Sequence, residues 1–160
     1  MRIEELYRAA WHESGHAIAA YRCQRPIRRI EVDLEGVGMT RCASVRRQAR
    51  DHFSGRDWRG LVEQEICICL AGPIAEEITH GRNAQSARVD LQHAHEWLSE
   101  LMVPDDSVLL TFTARARALL MEPRSWRAVG QVARRLIQGR TISGAGVDAI
   151  CGALQVPRAR

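Results

Sequence analysis

Ala10-Trp11-His12-Glu13-Ser14-Gly15-His16-Ala17 lies within a proline-free stretch, Ile3 to Tyr21, whose alanines and glutamates predict a helix. Residues four apart on a helix project from one face, one turn above the other. His12 and His16 can therefore both reach one tetrahedral Zn²⁺ at about 2.0–2.1 Å. Glu13, beside the first histidine, is angled towards a water on the metal rather than the metal itself, the place of a general base. One zinc per chain, with His12 and His16 as ligands and Glu13 as catalytic residue, is the expectation. Gly15 in mid-helix costs about 1 kcal/mol relative to alanine, which predicts that something approaches that face closely. Ala9, Ala10, Ala17, Ala19 and Ala20 predict a tightly packed helix around it.

A catalytic zinc wants a third protein ligand and an open position. The extended H-E-x-x-H-x-x-G-x-x-H form is excluded, because Ala19 and Arg22 stand where its glycine and last histidine belong. Glu31, Glu35, Glu63, Glu65, Glu76, Glu77, Asp90, His93, His95 and Glu96 remain as candidates, and spacing does not choose among them.

Beyond the first helix, Pro26 prevents its resumption. Ile27 to Leu34 alternates imperfectly between apolar and polar, Glu35-Gly36-Val37-Gly38 supplies turn chemistry, and Met39 to Val45 reads as a second strand. Gln48 to Arg56 reads as a loop, with Asp57 the N-cap of a helix from Trp58 to about Thr79, closed by Gly81. Pro73 should break or kink that helix. Further helices are expected from Val89 to Met102, Val108 to Met121 and Arg124 to Gln138, with a short one after Ser143. The fold class is mainly α (α+β), a helical zincin-like domain with a small antiparallel hairpin beside the H-E-x-x-H helix. We expect one domain over 1–160: a catalytic part with the zinc site in 1–104, and C-terminal helices in 105–155.

The 160 residues are 46% hydrophobic, enough for one core and too many for global disorder. The most apolar segment, Ile66 to Ala75, is half the roughly 20 residues a membrane-spanning helix needs. The start, Met-Arg-Ile-Glu-Glu, has no apolar signal region, so a cytoplasmic location is expected. Cys23, Cys42, Cys67, Cys69 and Cys151 then read as reduced thiols, with Cys67 and Cys69 on different sides of a helix as core packing. All 23 basic residues are arginine, spread among acids rather than gathered in a block, which argues against specific nucleic-acid binding.

Three blocks resemble, in order, the peptidase domain of the FtsH-type ATP-dependent zinc metalloproteases. Ala10 to Ala17 looks like that family's "YHEAGHA" helix. Leu70-Ala71-Gly72-Pro73-Ile74-Ala75-Glu76-Glu77-Ile78, followed by Gly81, looks like its "GGRAAEE…G" helix. Val89-Asp90-Leu91-Gln92, with Ala94, looks like its "sDl..At" segment, and Ala133 to Val147 resembles its closing helices. The resemblance implies Asp90 as the third zinc ligand and Glu76 as a residue close to the metal, orienting a ligand histidine. His93, one turn after Asp90, could face the same cleft. Met39, Thr40, Arg41, Cys42 and Ala43 are the expected strand edge along which substrate adds. The chain departs from the family at Ser14, where alanine is usual, and at Pro73, where arginine is usual. Within these 160 residues neither the family's ATPase module nor its membrane segment is expected. Unfolded protein or peptide substrates are therefore expected, with a separate ATPase and a second copy of the chain, as a homo-oligomer, as candidate partners.

Two other functions share parts of this pattern. An ImmA-type repressor-cleaving metallopeptidase is loosely similar over Trp97 to Pro104, but its glutamate ligand would fall near Leu91. A zinc-containing non-catalytic interaction or regulatory module would need no general base beside the metal.

Overall fold

In a computed structural model, the structure describes residues 2–43, 55–101 and 106–158. The first helix, α1 (Arg2–Arg22), carries Glu4 and Glu5 in its first turn and Arg22 in its last, each complementing the helix dipole. It ends through Gln24, whose φ of 58° turns the chain left-handed, ahead of Pro26. Strands β1 (Ile27–Val32) and β2 (Gly38–Cys42) form the expected antiparallel hairpin, with Ile30 opposite Thr40. Asp33 Oδ1 accepts from the backbone N–H groups of Glu35 and Val37 at 3.0 and 2.8 Å, and Gly36 takes φ 83°.

Helix α2 (Gly55–His80) is followed by α3 (Ala87–Glu100), α4 (Asp106–Met121) and α5 (Pro123–Gly139). Strand β3 (Thr141–Ser143) and helix α6 (Gly144–Ala153) complete the order. The architecture is mainly helical with a three-stranded antiparallel sheet of order β2-β1-β3. Strand β3 was not expected; with only the alternation of Thr141-Ile142-Ser143 to mark it, its pairing of Ile142 with Ile30 is tertiary.

One expectation is corrected in α2, and a break at Pro73 is excluded. The helix starts at Gly55, so Asp57 stands inside its first turn rather than at the cap. Pro73 does not break it: the helix runs on for roughly two turns to His80. Loss of one backbone hydrogen bond at Pro73 is offset by burial of Leu70, Ala71, Ile74 and Ala75 on either side. Gly81, at φ 80°, then stops the helix and donates its N–H to the Glu77 carbonyl oxygen. The expected loop over Gln48 to Arg56, and the ends of the second strand (Ser44, Val45) and third helix (Met102), lie largely outside the described residues.

Helix α1 is the centre of the fold, packing on α2, α4, α5, α6 and the hairpin strands. Ala10, Ala17, Ile18, Ala19 and Ala20 are fully buried. Gly15 meets the close approach its position implied: a Cβ there would lie 2.4 Å from the Ala71 carbonyl oxygen. Among the described residues no helix is long and apolar enough to cross a membrane.

Candidate metal centre

One turn of α1 places His12 and His16 side by side, their ring centroids 4.8 Å apart. Asp90, in the first turn of α3, closes on them. Its Oδ2 lies 2.9 Å from His12 Nε2 and its Oδ1 3.3 Å from His16 Nε2, while the two Nε2 atoms are 3.1 Å apart. His16 Nδ1 donates to the Ile68 carbonyl oxygen at 2.7 Å, and His12 Nδ1 donates to Glu76 Oε2 at 3.0 Å. With both Nδ1 atoms committed as donors, each neutral ring presents its Nε2 lone pair to the same point. Two nitrogen lone pairs and two carboxylate oxygens thus converge, and a set of acceptors repels unless a proton or cation lies among them. The edge of a zinc tetrahedron is about 3.4 Å for bonds of about 2.0–2.1 Å, close to the three separations observed. The donor set fits a zinc ion.

The titration behaviour carries the same message. Burial disfavours a charged His12, yet hydrogen bonds to Asp90 and Glu76 outweigh it and push its pKa up to about 9. Burial likewise opposes charge on His16, but the Asp90 carboxylate raises it. Burial alone would raise Glu76; bonds from His12 and Ser86 bring it down to about 2. Against its own burial, Asp90 is held well below the usual carboxylate range by His16 and His12. Without metal, the cluster holds protons where a cation would sit.

Glu13 is buried beside the cluster, and β2 fixes its carboxylate. Thr40 Oγ1 donates to Glu13 Oε2 at 2.6 Å and lies 3.2 Å from the Glu13 carbonyl oxygen. Gly38 leaves the space: a Cβ there would stand 2.6 Å from Glu13 Oε1. Gly72 does the same for His16, whose Nε2 would lie 2.3 Å from an added Cβ. Neither glycine was singled out from the sequence, although Gly72 ahead of a mid-helix proline is a visible oddity.

His12, Glu13, His16, Glu76 and Asp90 line a cleft of about 780 Å³. Met39, Thr40 and Cys42 border it from β2, the edge of the sheet, and His93 borders it from α3. Arg41 and Ala43 are not among its lining residues; Arg41 instead pairs with Glu31 at 3.3 Å. Thr40, expected along a substrate edge, spends its hydroxyl on Glu13. Of the other candidates, Glu77 reaches Arg117, Glu63 reaches Arg59 and Arg115, and Glu65 pairs with Arg25. All five cysteines are free; Cys67 is in the core, while Cys69 is half-buried at the cleft.

The chain is similar to known zinc metalloproteases over part of its length. The chain is 33% identical over 99 residues to the ATP-dependent zinc metalloprotease FtsH of Pirellula staleyi, covering 59% of this chain and 13% of the relative. It is 28% identical over 101 residues to the FtsH of Marinobacter nauticus, covering 62% and 15%. The chain thus spans about one seventh of the length of the curated relatives it matches. No family model matches it.

Proposed function

We propose that this chain is a zinc-dependent metallopeptidase of the FtsH type, with His12, His16 and Asp90 holding the metal and Glu13 as general base. The convergence of His12 Nε2, His16 Nε2 and the Asp90 carboxylate within 4.8 Å of one another carries the reading. When bound, zinc supplies Lewis acidity towards a water and a peptide carbonyl. Glu13 takes the proton of the attacking water at Oε1, since Thr40 occupies Oε2, and returns it to the leaving amine. Glu76 accepts from His12 Nδ1, fixing the tautomer that leaves Nε2 free for metal.

The described residues supply three ligands, whereas a closed structural zinc wants four, which favours catalysis. An extended peptide would lie in the cleft along β2, whose outer side has no strand partner among the described residues. Unfolded proteins and peptides are the substrate class, with an ATPase as delivering partner. The free thiols suit a reducing compartment, the cytoplasm.

Metal analysis of purified protein beside a casein or peptide cleavage assay tests the proposal. Wild type should hold about one zinc and cleave. Glu13→Gln should keep its zinc and lose about 10²–10⁴ in rate. Equal cleavage by both proteins would remove Glu13 from the mechanism.

A further inference from the structure

Glu76 is gripped from more directions than the orientation of one histidine requires. Its Oε2 accepts from His12 Nδ1 and from Ser86 Oγ, at 3.0 and 2.7 Å. Its Oε1 accepts from Arg8 Nη1 at 3.3 Å, and Arg8 Nη2 donates to the His80 carbonyl oxygen at 2.9 Å. Arg8 thus spans from α1 to the last turn of α2, and Glu4 steadies it at 3.5 Å.

Ser86 is the more telling member. It stands at the start of α3 in helical dihedrals, φ −65° and ψ −37°, after Asn83, whose Oδ1 accepts the backbone N–H groups of Gln85 and Ser86 at 3.1 and 3.4 Å as a cap does. The Ser86 side chain itself makes no capping bond. The hydroxyl donates to Glu76 instead and lies 3.2 Å from the Asn83 carbonyl oxygen. Ser143, at the start of α6, caps in the ordinary way and accepts from Gly146 N–H at 3.1 Å. Asn83 caps α3, and the Ser86 hydroxyl ties α3 to α2.

We propose that Arg8 and Ser86 are positioning residues for the metal centre, acting through Glu76. This rests on the zinc reading above. Arg8 holds the Glu76 carboxylate from α1, and Ser86 holds it from the foot of α3, four residues ahead of Asp90. Held at both oxygens, the carboxylate cannot rotate away from His12 Nδ1. The same grip sets the start of α3 relative to α1, and with it the approach of Asp90 to the two histidines. The planar fork of arginine reaches Glu76 and the His80 carbonyl together, which a lysine ammonium cannot match.

Zinc affinity, measured by competition with a chromogenic chelator, tests this together with the absorption spectrum of the cobalt-substituted protein. Ser86→Ala and Arg8→Gln should each weaken zinc about tenfold and shift the cobalt bands. Arg8→Lys, which keeps the charge and most of the stem, should fold like wild type yet still weaken zinc. Adding Arg8→Gln or Ser86→Ala to Glu76→Gln should cost little more than Glu76→Gln alone, because the effect passes through that carboxylate. Additive losses would assign the effect to general destabilisation and overturn the inference. Wild-type affinity and cobalt spectra in Ser86→Ala and Arg8→Lys would overturn it while leaving the zinc site standing. Wild-type protein that binds no zinc would overturn both.

Discussion

Helix α1 is buried on two sides that are built in opposite ways. Towards α2 the contact is made by backbone and small residues: Gly15 against Ala71 and Ala75, and the His16 ring over Gly72. Towards α5 it is made by volume. Trp11 tilts against Trp126 with ring centroids 5.6 Å apart, and α5 contributes fully buried Val129, Val132 and Leu136. On the second side, side chains set stability in proportion to the area they cover. On the first, the distance between helices sets where the proposed ligand atoms fall. The proposed metal centre lies where tolerance to added volume is smallest.

The contrast can be broken from the apolar side first. Leu136→Ala should cost about 2–5 kcal/mol by transfer and cavity terms, read by denaturant unfolding, with the folded fraction still binding zinc like wild type. A loss of zinc affinity matching the loss of stability would show that the two sides are not separable.

Gly72→Ala attacks the other side. Its Cβ would stand 2.3 Å from His16 Nε2, closer than any real Cβ contact, and the ring is tethered to Ile68. We expect a stability cost of about 1–3 kcal/mol, smaller than that of Leu136→Ala, together with a far larger loss of zinc affinity. A Gly72→Ala protein with undiminished zinc binding would contradict the packing described.

Proton competition sharpens the comparison without a mutation. His12 is raised from 6.5 to about 9 in the metal-free protein, so zinc must displace its proton. Zinc affinity should therefore rise with pH by roughly tenfold per unit between these values. The sign is opposite for the chelated protein. A raised histidine contributes stability that is complete below pH 6.5 and is lost as pH rises through about 9. Thermal unfolding from pH 6.5 to 9 should thus show the chelated protein losing stability while the gap to the zinc-loaded protein widens. Parallel curves would exclude the protonated cluster.

The smallest effect separates two serines. Ser143→Ala removes a working cap and should cost about 1 kcal/mol, with zinc affinity unchanged. Ser86→Ala should show the reverse balance, because that hydroxyl caps nothing in α3. Equal stability losses in the two variants, with equal zinc affinities, would erase the distinction.

What the sequence determined by itself is what short-range spacing controls. The four-residue interval between His12 and His16 puts two imidazoles on one helical face whatever surrounds them. The turn around Gly36 and the stop at Gly81 are legible for the same reason, since the backbone conformations they need favour those residues locally. The family resemblance pointed to Asp90 and Glu76 where spacing alone left ten candidates level. The tertiary structure decided the rest. It set Asp90 against two histidines more than seventy residues away, and set Thr40 on Glu13 instead of leaving it free on a strand edge. It carried α2 through Pro73 and added β3 beside β1. Each of these depends on how closely separate elements approach, and that distance is a property of packing: Gly15, Gly38 and Gly72 matter because no side chain stands there, and their function is visible only once the neighbour filling that space is known.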